Sequence, residues 1–337
     1  MRSIRGCATV PENLPLLSVR GLRVSFGRGD DAVIAVDGVD LDVHRAEVVA
    51  IVGESGSGKS VSMLAALGLI DPPGYTECER MDFDGIDLHR LSPAARRQRV
   101  GRRVSMIFQD PVASLDPCWS IGAQLIEVLA AQHGGPRPAL RERAIDLLRQ
   151  VDIPDPQARL SAWPHQVSGG MCQRVMIAMA LAGEPELLIA DEPTTALDVT
   201  LQAQVMALLR RLQRERGMAM VFVSHDLALV SGVADRVHVM YAGRVMESGS
   251  PDAVFGAPSH PYTRALIDAL PQANRGRRRL NALPGTVTVL SRQHRGCSLA
   301  PRCPQASAQC RQEQPMPRVA RSGAIVSCHH ADPQGDQ

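Results

Sequence analysis

Gly53-Glu54-Ser55-Gly56-Ser57-Gly58-Lys59-Ser60 fits the phosphate-loop pattern G-x-x-x-x-G-K-[ST]. Lys59 is the only lysine in 337 residues; every other residue in the Lys+Arg total of 37 is an arginine. A lysine ammonium is a compact point charge on a flexible stem, able to reach β/γ-phosphates through a ring of backbone N–H groups. A guanidinium is larger and wants a forked partner. The flanks agree with the loop. Residues 48–52 (Val-Val-Ala-Ile-Val) are continuously apolar, as a buried parallel strand requires. Residues 61–70 read as a helix that Asp71-Pro72-Pro73-Gly74 stops. Strand, glycine loop and helix N-terminus make an anion site, because unpaired N–H groups and the helix dipole point at one place. Ser60 supplies a hydroxyl suited to Mg2+.

Outward from the loop, residues 187–192 (Leu-Leu-Ile-Ala-Asp-Glu) put two carboxylates at the end of a second buried strand. Ligands bind at that end of an open α/β sheet. Asp191 is placed to hold Mg2+, directly or through water, and Glu192 to polarise an attacking water as general base. Gln109 ends the strand at 104–108, and His225 follows the strand at 220–224. Polar residues at these strand ends suit γ-phosphate sensing, although either alone also reads as a local cap.

The rest of the chain supplies a frame. Strand-like alternation between 16 and 43, with a turn at 27–31, predicts an antiparallel sheet ahead of the loop. From 121 to 181 the spacing turns helical; 201–216 is a further helix, and 237–246 a hairpin turning at Ala242-Gly243. Alternating strands and helices predict a mostly parallel α/β core. The arginine-rich stretch 96–103 reads as a solvated helix face. An apolar fraction of 45% supports a real core, and the length allows two or three domains. Net charge of +2 and 3% aromatics give no electrostatic or stacking case for nucleic acid. No long apolar run suggests a signal peptide near the N-terminus or a membrane span elsewhere. Residues 1–15 read as an irregular leader.

These elements together resemble the ABC-type ATPase cassette, in order and spacing: the phosphate loop, Gln109, Ser168-Gly169-Gly170, Asp191-Glu192, Ala196-Leu197-Asp198 and His225. Ser168-Gly169-Gly170 is the diagnostic element, which other phosphate-loop ATPases lack. The resemblance covers about residues 16–250, with a helical subdomain at about 112–183. It implies a P-loop NTPase fold with an antiparallel β subdomain and a helical signature subdomain, and two cassettes paired head to tail. Ser168, Gly169 and Gly170 would then close on the ATP held by the partner's loop. His225 would steady the γ-phosphate, Asp198 would communicate between sites, and Gln109 would touch metal or water and couple to membrane subunits. Phe26 resembles the aromatic that stacks on adenine; an ordinary core aromatic is the other reading. Val167, Met171 and Cys172 depart from the usual signature without removing a phosphate-binding group.

Beyond residue 250 the chain turns rich in Pro, Arg and Cys. Residues 260–271 and 296–304 resemble the extension of dipeptide/oligopeptide/nickel importer ATPases. Four cysteines, Cys297, Cys303, Cys310 and Cys328, fall in this segment, whereas Cys7, Cys78, Cys118 and Cys172 are scattered. Four thiolates suit tetrahedral zinc or a cuboidal iron–sulfur cluster. No C-x-x-C pair occurs, which counts against common zinc spacing. The importer resemblance implies a [4Fe–4S] cluster; zinc or free thiols stay open. It also implies peptide import through separate transmembrane permeases, a second ATPase (the same chain or a sister), an extracellular substrate-binding protein, and a peripheral place on the cytoplasmic face of the inner membrane. Nickel or another small solute is the alternative cargo. A soluble, non-transport ABC ATPase is the distant alternative.

Overall fold

The computed structural model describes residues 14–29, 32–111, 113–195, 197–270 and 283–331. Cys7, Ala196 and most of the expected leader lie outside them.

Two sheets organise the chain. Strands β1 (Leu17–Phe26) and β2 (Val33–Val43) pair antiparallel and lead to β3 (Val48–Val52), which feeds the glycine loop and helix α1 (Lys59–Leu67). Strands β4 (Gly74–Glu77), β5 (Arg80–Phe83) and β6 (Ile86–Asp87) complete the antiparallel sheet, ahead of helix α2 (Pro93–Val100) and strand β7 (Val104–Ile107). A helical segment follows: α3 (Ile121–His133), α4 (Arg137–Gln150), α5 (Pro156–Arg159) and α6 (Gly169–Leu181). The chain then returns as β8 (Leu187–Asp191), α7 (Val199–Arg216), β9 (Ala219–Ser224), α8 (Leu227–Ser231) and the hairpin β10 (Arg236–Tyr241) and β11 (Arg244–Gly249).

The second sheet runs β13 (Arg318–Val319), β14 (Ile325–Val326), β11, β10, β3, β9, β8, β7, parallel from β10 to β7. Its central strands are buried on both faces, which explains why their sequences are apolar runs rather than alternations. The pleat still sorts them by parity. Val48, Ala50, Val52, Met220 and Phe222 join the core against the helical segment. Val49, Ile51, Val221 and Val223 join the core against the antiparallel sheet and α1.

Three boundaries differ from the sequence reading. Helix α1 stops at Leu67 rather than near residue 70, because Gly68 adopts φ 71° and its N–H caps Ala65. Strand β7 ends at Ile107, leaving Phe108 exposed. Helix α7 begins at Val199, since the Asp198 carboxylate accepts the N–H groups of Thr200 and Leu201, both at 3.0 Å.

Residues past 250 do not sit apart. After helix α9 (Pro261–Asp268), strand β12 (Leu290–Ser291) adds to β2 at the edge of the antiparallel sheet. Helix α10 (Ala308–Gln312) precedes β13 (Arg318–Val319) and β14 (Ile325–Val326), and β14 adds to β11 at the edge of the other sheet. The segment thus grips an edge of each sheet.

Candidate active site

The loop after β3 needs glycine where another backbone approaches closely. Gly58, the N-cap of α1, has φ 93°, and a Cβ there would lie 2.4 Å from the carbonyl oxygen of Ala35. The loop wraps Lys59, which is 5% exposed. Its Nζ donates to the carbonyl oxygens of Gly53 (2.9 Å) and Glu54 (3.0 Å) and lies 3.9 Å from Glu192 Oε1. Burial pulls the Lys59 pKa down against the nearby carboxylates Glu192, Asp191 and Glu54. A buried ammonium held by two carbonyls and a distant carboxylate is a strong attractor for anions.

Beside it, Ser60 Oγ donates to Asp191 Oδ1 at 2.8 Å. Burial raises the Asp191 pKa, the Ser60 bond opposes the rise, and the neighbouring Glu192 adds to it. A half-buried hydroxyl beside a buried carboxylate is an oxygen donor set that fits Mg2+.

Glu192 follows β8 in the left-handed region, φ 45°, so the chain turns there and aims its side chain across the strand ends. One oxygen, Oε2, gathers three partners: Thr195 Oγ1 donates at 2.8 Å, Gln109 Nε2 donates at 3.1 Å, and His225 Nδ1 lies at 3.2 Å. Gln109, Glu192 and His225 come from three neighbouring parallel strands, β7, β8 and β9, at their C-terminal ends. The loop, these residues, Thr195 and Val61 line one cavity of about 500 Å3.

Other expected residues sit outside that lining. Phe26 ends β1 and packs against Gly74, where an added Cβ would come within 2.8 Å of its ring. Ser168 caps α6, accepting the Met171 N–H at 3.3 Å. Ser168 and Gly169 are exposed, while Gly170 packs against Leu201. Asp198 is engaged as the cap of α7 described above.

Three contributors were not legible beforehand. Thr195 lies between Asp191-Glu192 and Ala196-Leu197-Asp198 and was given no role. Tyr262 and Arg302 reach the loop from far along the chain: the Glu54 N–H donates to Tyr262 Oη at 2.9 Å, and Arg302 Nη1 donates to Glu54 Oε2 at 3.0 Å. The signals for Tyr262 and Arg302 were their places in residues 260–271 and 296–304, which resemble the importer extension.

The four tail cysteines share a neighbourhood. Burial raises the thiol pKa values of Cys297, Cys303 and Cys328, and neighbouring thiols of the set raise each further. Among the described residues, however, no group of three or more His, Cys, Asp or Glu side chains is arranged to hold a metal ion. The donor chemistry is that of a metal site, but the arrangement is not, so the structure does not support the expected iron–sulfur cluster. Nor does any described helix have the length and apolarity to cross a membrane.

Comparison with known proteins yields consistent likenesses. Residues 36–195 match the family model described as ABC transporter, and residues 246–310 match the oligopeptide/dipeptide transporter C-terminal region. The dipeptide transport ATP-binding protein DppD of Escherichia coli is 52% identical over 317 residues, covering 94% of this chain and 97% of the relative. Its namesake in Haemophilus influenzae is 49% identical over 94% of this chain and 96% of the relative. Among solved structures, a dimeric, post-hydrolysis state of the ATP-binding cassette MJ0796 bound to ADP and Pi superposes with a TM-score of 0.62. It is 27% identical and covers 70% of this chain and 98% of that one. The cbiO1 protein of Clostridium perfringens, part of the cbiONQ transporter complex, gives the same TM-score at 29% identity, over 73% and 92% of the two chains.

Proposed function

We propose a residue-level mechanism for a chain that, on these likenesses, belongs to the ABC transporter family and to its oligopeptide/dipeptide branch. The protein is an ATPase that powers the import of di- and oligopeptides. Residues 16–250 act as the cassette, with its helical part at about 112–183, and 251–337 as the branch-specific extension. The single observation that carries the mechanism is the convergence of Gln109, Thr195 and His225 on one oxygen of Glu192, facing the phosphate loop.

Residues 53–60 bind the triphosphate, with Lys59 exchanging its carbonyl partners for phosphate oxygens. Ser60 and Asp191, with Gln109 near them, would hold Mg2+, which would supply positive charge against the phosphates. Gln109, Thr195 and His225 fix the Glu192 carboxylate. That carboxylate takes the proton from a water whose oxygen bonds to the γ-phosphorus as the bond to the ADP oxygen breaks. His225 also faces the γ-phosphate. Phe26 is assigned to adenine from its place in the family pattern.

The exposure of Ser168 and Gly169, outside the cavity, supports a trans role: the helix N-terminus of a second cassette closes over the γ-phosphate. Asp198 sits between such paired sites. The dimeric form of MJ0796 supports the pairing. Separate permeases would carry the membrane spans and place this subunit peripherally on the cytoplasmic face, with a substrate-binding protein outside choosing the peptide.

Glu192→Gln tests the mechanism. Turnover should fall by about 100-fold or more, the range for losing a general base, while ATP binding persists. Unchanged phosphate release would overturn the assignment of the base.

A [4Fe–4S] cluster on Cys297, Cys303, Cys310 and Cys328 is a separate part of the proposal. It is supported by the thiol donor set and shared neighbourhood alone, against the lack of an arranged metal group. Anaerobically purified protein should be brown and carry iron; colourless, iron-free protein would remove the cluster, and zinc in its place would convert it to a structural zinc site.

A further inference from the structure

Glu54 is held at three points. Its carbonyl accepts the Lys59 ammonium at 3.0 Å and the Ser57 N–H at 3.2 Å. Its N–H donates to Tyr262 Oη at 2.9 Å, and its carboxylate accepts Arg302 Nη1 at 3.0 Å. The first contact lies inside the loop; the other two come from beyond residue 250.

Neither arm is a loose surface contact. Tyr262 is fully buried, packs against Tyr241 with ring centroids 4.8 Å apart, and donates its N–H to His260 Nδ1 at 3.1 Å. His260 is itself buried and hydrogen-bonded to the Ser327 backbone, next to Cys328. The Arg302 side chain is 7% exposed and adjoins Cys303. Its Nε donates to the Pro284 carbonyl at 2.8 Å and its Nη2 to the Leu283 carbonyl at 3.1 Å, with the guanidinium 5.6 Å from the Tyr241 ring centroid. A guanidinium with this many fixed partners has little freedom left to lose, so it places the carboxylate firmly. Both arms therefore run from the cysteine-bearing segment to one residue, and that residue's carbonyl is one of the two that hold Lys59.

We propose that Tyr262 and Arg302 are positioning residues for the phosphate loop: the extension clamps Glu54 from outside and thereby sets where Lys59 stands. The inference rests on the reading of residues 53–60 as the ATP site. It assigns the extension a part in nucleotide affinity, alongside whatever its cysteines bind. Neither residue lines the cavity at the loop, so loosening the clamp weakens ATP binding more than it slows the bound-state reaction.

The test is titration of a fluorescent ATP analogue into the full-length chain, with turnover and melting temperature measured in parallel. Tyr262→Phe removes one hydroxyl and keeps the packing. Loss of one neutral hydrogen bond corresponds to about a fivefold rise in the dissociation constant. Arg302→Gln should raise it at least as much, and Arg302→Lys should recover part of the loss. In each case kcat should change less than affinity, at an unaltered melting temperature. Unchanged affinity in both Tyr262→Phe and Arg302→Gln, with Lys59→Ala losing binding, would overturn the clamp and leave the loop assignment standing. Retained binding in Lys59→Ala would overturn the loop assignment beneath it. Affinity losses that track a lowered melting temperature and are not relieved by Arg302→Lys would make the two residues structural supports and also reject the clamp.

Discussion

The two ends of the parallel sheet carry the same kinds of side chain in opposite states. At the N-terminal ends of β7 and β8, Arg103 and Glu186 meet Arg45 and Asp84. Arg45 bridges Asp84 at 2.6 Å and Glu186 at 2.7 Å, while Arg103 binds both acids and lies over the Phe83 ring. Each charge there has an opposite charge beside it, and both acids are held below their ordinary pKa values, chiefly by hydrogen bonds from Arg103 for each. At the C-terminal ends, Asp191, Glu192 and Lys59 lie more deeply buried, yet Lys59 stands 3.9 Å from Glu192 and Asp191 is pushed above its ordinary pKa. Charges that close on one another tie sheet to sheet. Charges kept buried and short of a partner store the capacity to bind one.

That contrast is open to direct attack, beginning with the strongest perturbation. Lys59→Arg keeps the charge but puts a planar, larger group where an ammonium is wrapped by two carbonyls. Phosphate release should drop by at least about 100-fold, the loss seen when a charge-stabilising donor is misplaced, with little change in melting temperature. Normal turnover would mean that charge alone, and not its compactness, serves the C-terminal end.

At the opposite end, Arg103→Gln should leave turnover intact and alter acid stability. Asp84 and Glu186 have folded pKa values below their ordinary 3.8 and 4.5. The unfolded chain therefore binds more protons than the folded one as pH falls through that range. The stability these pairs give is complete above about pH 4.5 and is lost as pH drops through the lowered folded values. Because the side chains are about a quarter to a third exposed, the loss is below about 1 kcal/mol. Thermal melts from pH 6 to pH 3 should show a shallower acid decline in the variant. An identical decline would place the acid sensitivity elsewhere.

How far the site could be read in advance follows from the same geometry. Gln109, Asp191, Glu192 and His225 were legible because each stands at the end of an apolar run, where the strand itself announces the position. Asp198 was read as communicating between sites, but its carboxylate also does the common work of an N-cap, accepting the N–H groups of Thr200 and Leu201. Tyr262 and Arg302 escaped because their partner, Glu54, is 208 and 248 residues away, and no local pattern encodes such a meeting. The short strands of the extension escaped for a similar reason. Two-residue strands have too little periodicity to be seen, and their pairing is decided by the free edges they meet.

Those edge pairings have a consequence for how the protein is made. On the ribosome, β2 and β11 emerge long before β12 and β14, each of which pairs with two residues on their outer edges. During that interval each sheet carries a row of unpaired backbone groups, the kind of template on which nascent chains pair wrongly. Edge pairing of both sheets is thus incomplete until the extension has been synthesised, and a truncation near residue 285 would leave those edge positions open to other strands.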